Sequence, residues 1–153
     1  MALPKIYDTP DEAIADVPDG ATIMVGGFVG IGGNPRYLTA ALARQGAKGL
    51  TLISNFPGVG ERLGPYLRLA GLDYPAPYED NAMLLENGQV KKCIAAGTVS
   101  VSPTIVSIAE ILWLEGKIEI EVVPQGTLVE RIRAGGAGIK GFYTAISAGT
   151  YIG

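Results

Sequence analysis

The chain has 153 residues, of which 48% are hydrophobic and 18% are charged, and its mean hydropathy is +0.28. This composition excludes a disordered chain and predicts one folded domain over residues 1–153. The formal net charge of −3, without a basic cluster, argues against nucleic acid as a partner. The absence of histidine excludes imidazole catalysis and histidine metal ligands, and the single Cys93 excludes an internal disulfide and any cysteine-only metal site.

No segment has the pattern of a signal peptide or a membrane span. The most apolar stretch, residues 21–33, is too short to cross a bilayer and is interrupted by glycines. We therefore expect a cytoplasmic protein with no membrane partner.

Strand-like and helix-like segments alternate along the chain. Thr9 and Glu12 have capping-box spacing around Pro10, which predicts a first helix over 10–17. The apolar, β-branched run at 21–26 predicts a buried strand. The rest of the pattern predicts helices from Asn34 to Gly46, near 65–70, and over 81–87, 103–115 and 126–134, and strands over 50–54, 90–95, 117–123 and 141–144.

Repeated strand–helix units predict an α/β fold: an open, mostly parallel sheet with helices on both faces, in three α/β/α layers. In such sheets ligands bind beyond the carboxyl ends of the strands. The loops of most functional interest are then 26–34, 55–60, 97–103 and 124–127.

A glycine-rich loop follows the first predicted strand and contains Gly26, Gly27, Phe28, Gly30 and Gly32. Free backbone N–H groups in such a loop can bind an anion. The dinucleotide fingerprint is absent, because Pro35 stands at its last glycine position and Asn55, not an acidic residue, follows the next strand. The alternative is that the glycines only allow the strand and helix to pack closely.

Two further motifs lie after the last long strand. Gln125, in Pro124-Gln125-Gly126-Thr127, offers a neutral amide donor that could stabilise an oxyanion, or it could belong to an ordinary helix-capping turn. The small residues at 134–138 could allow close approach of a ligand or a partner protein, or could simply end the helix.

Taken together, these motifs resemble the α (A) subunit of family I CoA-transferases, of the 3-oxoacid and acetate/acetoacetate type. The segments that carry the resemblance are DGATIMVGGF at 19–28, NGQVKK at 87–92, VPQGTLVERIRAGGAG at 123–138, GFYT at 141–144 and GT at 149–150. The resemblance runs in order from Ile6 to Thr150, and the segment at 123–138 is the most specific.

The resemblance implies an enzyme that moves coenzyme A between carboxylates by a ping-pong route. The intermediate is a thioester between coenzyme A and a glutamate of a β (B) subunit, which is covalent catalysis by a carboxylate. Coenzyme A is then a substrate, and no permanently bound cofactor or metal is expected. Glu86 is interpreted as an exposed helix-end residue rather than the nucleophile, because it precedes the α-subunit segment at 87–92.

The resemblance also implies roles for site residues. Gln125 would stabilise the oxyanion, and Gly126 and Thr127 would line the pocket beside it. The loop with Gly26, Gly27, Phe28, Gly30 and Gly32 would line the acyl site, and Asn55 would lie close by.

The resemblance also implies an obligate partner, in a heterotetramer of two α and two β chains.

The sequence departs from the family pattern in four places. They are the length of its glycine loop, Phe56 after Asn55, the segment 57–80, which has the character of an insertion, and the segment 99–115. The sequence also stops at Gly153, before the usual C-terminal part of an α subunit. Two alternatives stay open: a non-catalytic relative that binds coenzyme A or acyl groups or acts as a scaffold, and a sugar-phosphate isomerase or related phosphate binder.

Overall fold

The computed structural model describes residues 6–27, 34–63, 68–69, 71, 79–98 and 106–151. The helices in these residues are α1 (Pro10–Ile14), α2 (Arg36–Gln45), α3 (Ala82–Glu86), α4 (Ile108–Leu114) and α5 (Gln125–Gly136), with a 3₁₀ turn at Gly60–Leu63. The strands are β1 (Thr22–Val25), β2 (Leu50–Ser54), β3 (Val90–Ala95) and β4 (Glu119–Val122). Across this part of the chain, no helix is both long and apolar enough to cross a membrane.

The four strands form one sheet in the order β1-β2-β3-β4, and every neighbouring pair is parallel. One row of paired residues runs through Ile23, Leu52, Cys93 and Ile120, and the next row runs through Met24, Ile53, Ile94 and Glu121. Because side chains alternate along a strand, these two rows face opposite sides of the sheet. The predicted parallel α/β sheet is confirmed.

The hydrophobic core lies on the side of the first row. There α2, α3 and α4 pack on the sheet through Leu42, Leu84, Leu85 and Ala109, around Leu50, Leu52 and Cys93. Helix α5 is tied to the other side, where Arg131 Nη1 lies 2.6 Å from Glu121 Oε1. The packed helical layer thus lies on the first face, whereas α5 reaches the second face through this ion pair and Met24 on that face is 60% exposed.

Most predicted elements are present, with shifted ends. Helix α1 begins at Pro10 with Thr9 Oγ1 accepting from Glu12 N, but it stops at Ile14 rather than at residue 17. Helix α2 ends at Gly46, whose φ of 86° is the left-handed conformation expected of a helix C-cap. The helix predicted near 65–70 falls largely outside the described residues.

Two predictions differ from the structure. The part of the helix predicted over 103–115 that is described begins at Ile108, because Ser107 is extended and forms a complete capping box with Glu110; residues 103–105 lie outside the described residues. The strand predicted over 141–144 is wrong, since these residues form no ladder. Phe142, Tyr143 and Thr144 instead line the same groove as Gln125, and Tyr143 is fully exposed.

Candidate functional site

The predicted site residues lie along the carboxyl edge of the sheet. Gly26 and Gly27 follow β1, Asn55 follows β2, and Gln125 follows β4. Phe28, Gly30 and Gly32 lie outside the described residues. The prediction that the loops after successive strands meet at one edge therefore holds for the part of each loop that is described.

A small crevice opens where β1 and β2 end, and we call it the glycine crevice. It is lined by Val25, Gly26, Gly27, Asn34, Ser54, Phe56, Gly58, Asp80 and Asn81. Its enclosed volume of about 10 Å³ is the space of one water molecule. Gly27 has a φ of 118°, and a Cβ at this position would collide with the side chain of Asn34. The glycine is therefore required by close contact as well as by backbone conformation.

Asp80 is a buried carboxylate of this crevice that sequence reasoning missed. Its residue is 2% exposed, and its Oδ2 accepts hydrogen bonds from the backbone N–H groups of Val59 at 2.7 Å and Gly60 at 3.2 Å. Its Oδ1 accepts from the N–H of Ala82 at 2.8 Å. Burial raises the pKa of the Asp80 carboxyl, and the three backbone donors oppose this rise.

Asn55 lies beside the glycine crevice rather than on its wall. Its backbone carbonyl accepts from Ala96 N at 3.1 Å, which extends the pairing of β2 with β3 beyond Ser54. The wall is formed by its neighbours Ser54 and Phe56, and Ser54 Oγ donates to the carbonyl of Phe56 at 2.8 Å. The side chain of Asn55 is half-buried.

Gln125, Gly126 and Thr127 line a second and wider groove at the other end of the edge, which we call the amide groove. Its volume is about 720 Å³, and its opposite wall is the segment 142–146. Gln125 is exposed at the first residue of α5. Thr127 Oγ1 is buried and has no hydrogen-bond partner in the described part of the chain. The groove thus presents the accessible amide of Gln125, the buried hydroxyl of Thr127 and the exposed hydroxyls of Tyr143 and Thr144.

The charges of the amide groove are already paired within the chain. Arg133 donates to Glu130 Oε2 through Nε at 2.9 Å and Nη2 at 2.6 Å. Because this guanidinium is held by a neighbouring carboxylate, the groove offers neutral donors more readily than a free cation.

The structure therefore divides the predicted site residues between two places. Gly26 and Gly27 belong to the glycine crevice, and Gln125, Gly126 and Thr127 belong to the amide groove. At a strand spacing of about 4.8 Å, the two to three strand steps from β1 and β2 to β4 separate the two by roughly 10–14 Å. Glu86 is exposed at the last residue of α3, as expected for a helix-end residue.

Comparison with known proteins identifies relatives along nearly the whole chain. The A subunit of a succinyl-CoA:3-ketoacid coenzyme A transferase from Bacillus subtilis, named as probable, is 42% identical over 97% of this chain and 52% of its own length. The A subunit of a 3-oxoadipate CoA-transferase from Pseudomonas putida is 38% identical over 97% of this chain and 55% of its own length. The chain thus spans about half the length of these curated relatives.

The fold of this chain is shared with a solved structure of an acyl-CoA transferase. An acyl-CoA transferase from Escherichia coli O157:H7, solved as a thioester complex with coenzyme A, matches with a TM-score of 0.67 and 26% identity. The match covers 94% of this chain and 25% of that one. A family profile described as coenzyme A transferase matches residues 7–153. On these grounds the chain belongs to the coenzyme A transferase family.

Proposed function

We propose that this chain is the A-subunit part of an acyl-CoA:carboxylate CoA-transferase. Its substrates are an acyl-CoA and a carboxylate such as a 3-oxoacid or a short-chain acid. The nucleophilic glutamate belongs to a partner β subunit, and the working enzyme is a cytoplasmic heterotetramer of two chains of each kind. The single domain 1–153 supplies part of the pocket.

The observation that carries this proposal is the position of the two site regions on one sheet edge. The glycine crevice and the exposed carboxamide of Gln125 both follow carboxyl ends of parallel strands, which is where α/β sheets bind ligands. Support also comes from the relatives named as A subunits, which match this chain along nearly all of its length.

The proposed chemistry needs a donor where negative charge develops. When a carboxylate attacks the thioester carbonyl of an acyl-CoA, the carbonyl oxygen becomes an oxyanion before the C–S bond breaks. A neutral amide can donate to that oxyanion without adding a charge to the ground state. We assign this role to Gln125, because its side chain is exposed and the nearby Arg133 is paired with Glu130.

The remaining pocket residues receive supporting roles in the same proposal. Gly126 and Thr127 would contact substrate in the amide groove. Gly26 and Gly27, with Phe28, Gly30 and Gly32 of the same loop and Asn55 beside it, would form the acyl site. A thioester substrate is long enough to lie along the edge between the two regions.

The first experiment is purification of the tagged chain from its own cells, followed by an assay of coenzyme A exchange. Acetoacetyl-CoA is the donor, and succinate, acetate, butyrate and 3-oxoadipate are the acceptors. We expect exchange in the fraction that contains a co-purified partner and none with the chain alone. A solitary chain that binds coenzyme A without exchange would instead favour a non-catalytic relative.

Replacing Gln125 by alanine tests its assigned role in the assembled enzyme. We expect kcat to fall by about 10² to 10³, the usual loss when one oxyanion donor is removed. Gln45→Ala is the control, because Gln45 is also exposed but lies at the end of α2, near the amino ends of the strands. Its carboxamide donates to the carbonyl of Val17 and accepts from the N–H of Ala47, so its loss can lower stability but should leave kcat unchanged. A Gln125→Ala enzyme with the wild-type kcat would exclude the oxyanion role.

A further inference from the structure

The glycine crevice has a wall that is held in place by one buried carboxylate. Gly58 and Asp80 both line the crevice. The backbone after Gly58 turns around the Asp80 carboxylate, which accepts the N–H groups of Val59 and Gly60. The same carboxylate accepts the N–H of Ala82 at the start of α3. One side chain therefore connects the loop after β2 to the helix that precedes β3.

The loop fits closely against α3. Gly58 has a φ of 114°, and a Cβ there would collide with the backbone nitrogen of Ala82 and lie 2.9 Å from Asp80 Oδ1. Gly60 has a φ of 59°, and its Cβ would lie 3.1 Å from Ala82 Cβ. Both backbone conformations favour glycine. The position of this loop thus depends on the absence of side chains and on the carboxylate that binds it.

We propose that Asp80 is a positioning residue for the acyl site, because it fixes the loop at 58–60, and Gly58 of this loop lines the glycine crevice. This inference rests on the proposed function. Asp80 acts through the backbone rather than on the substrate, since both of its oxygens accept backbone N–H groups. Because the crevice encloses only about 10 Å³, an acyl group would lie against its mouth rather than inside it, and a shift of this wall would change the surface that the group meets.

The test compares Asp80→Asn with the wild type in the assembled enzyme. Asparagine keeps the size of the side chain but replaces one acceptor oxygen with an NH₂ group, which faces a backbone N–H and cannot bind it. We expect the KM for the carboxylate acceptor to rise about tenfold, because a displaced wall weakens its contact with the acid; a misplacement of about 1 Å can cost up to about 10²-fold in rate. The ratio of kcat/KM for acetate to that for a bulkier carboxylate should change as well.

A purely structural role gives a different result. If Asp80 only stabilised the fold, the variant would contain less active enzyme, and kcat would fall while KM and the acetate ratio stayed at wild-type values. Asp19→Asn is the matched control. Asp19 Oδ1 also accepts a backbone N–H, from Lys48 at 2.7 Å, but Asp19 precedes β1 and therefore lies at the amino ends of the strands, away from the crevice.

A second variant reaches the same loop from the other side. Gly60→Ala leaves the Asp80 carboxylate intact but strains a positive φ and crowds Ala82. It should raise the KM for the acceptor in the same way, and it decides the question if Asp80→Asn does not fold. Wild-type KM and selectivity in the folded variants would overturn the role of Asp80. Absence of exchange in the wild-type enzyme would overturn the proposed function and this inference with it.

Discussion

The thiol of Cys93 lies at the centre of the sheet, on the face that packs against α2, α3 and α4. It is buried among the core side chains, and desolvation raises its pKa to about 12. A thiolate is the form that reacts with disulfide reagents. The folded protein therefore holds its single cysteine in an unreactive state at neutral pH.

We expect the folded chain at pH 8 to react with an aromatic disulfide reagent on the order of 10³ times more slowly than the unfolded chain. An unfolded thiol with a pKa near 8.5 is about one quarter ionised at that pH, whereas a pKa of about 12 leaves only a trace of thiolate. The absorbance of the released thiol measures the rate, and the same chain in guanidinium is the control. Rapid reaction while circular dichroism still reports the folded protein would contradict this expectation.

Gln89 belongs to the sequence segment that carries the family resemblance, and the structure gives it a structural role. Its side chain is 1% exposed, and its Nε2 donates to the backbone carbonyls of Leu42 and Ala47, each at 3.1 Å. Its Oε1 accepts from Asn87 Nδ2 at 3.1 Å. A single buried amide thus joins the end of α2 to the start of β3.

Replacing Gln89 by leucine should lower the free energy of unfolding by about 1–3 kcal/mol, the cost of leaving a buried polar group without its partner. Glutamate should cost more, because its carboxylate would face two carbonyl oxygens. Urea unfolding measures both effects. Asn87→Ala is the control, since it removes only the contact to Gln89 Oε1, and equal stability of all three variants would contradict the assigned role.

At the scale of elements, an ion-pair network joins β3, β4 and α5 on the second face of the sheet. Glu121 pairs with Arg131 at 2.6 Å and with Lys92 at 3.1 Å. Hydrogen bonds first from Arg131 and then from Lys92 lower the pKa of the Glu121 carboxyl. The network ties α5, and with it Gln125, to the end of the sheet.

The pH dependence of stability follows from the sign of that shift. Because the folded pKa of Glu121 lies below its unfolded value of about 4.5, its contribution is present above that pH and is lost as pH falls through the folded pKa. The free energy of unfolding falls as the pH is lowered through this range. Glu121→Gln should make that fall smaller by at most about 1 kcal/mol, since the side chain is 36% exposed and solvent screens it.

Unfolding curves between pH 3 and pH 6 measure this difference. Glu119→Gln is the control, because the more exposed Glu119 pairs with Lys92 but not with a residue of α5 in the described part of the chain. A Glu121→Gln curve parallel to that of the wild type would show that the network contributes nothing to acid stability.

The elements that sequence reasoning predicted well are those with local signals. Strands β2 and β3 lie where apolar runs of the sequence predict them, and α2 ends at the glycine that predicts its end. The error at 141–144 has a different cause, because those residues have a strand-like composition but lie, largely exposed, along the groove at the start of α5 instead of pairing with a neighbouring strand. A short segment carries no signal that distinguishes these two environments.

The candidate site was predictable to the same extent. The local sequence predicts the strands that Gly26, Gly27 and Gln125 follow. The position of these three residues at the carboxyl ends of the strands was therefore predicted correctly. Asp80 could not be found in this way, because its partners Val59 and Gly60 are about twenty residues away. Its role follows from hydrogen bonds to three backbone N–H groups, and no sequence pattern predicts these bonds.

At the scale of the whole molecule, the order of strands in the sheet is the order of strands in the chain. In the described residues, each strand therefore pairs with the strands made just before and just after it. During synthesis, β1, α2 and β2 can associate before β3 leaves the ribosome, and each later strand and helix can add to an edge that already exists. Among the four described strands, none has to insert between two others, so growth of this part of the sheet requires no earlier contact to be broken.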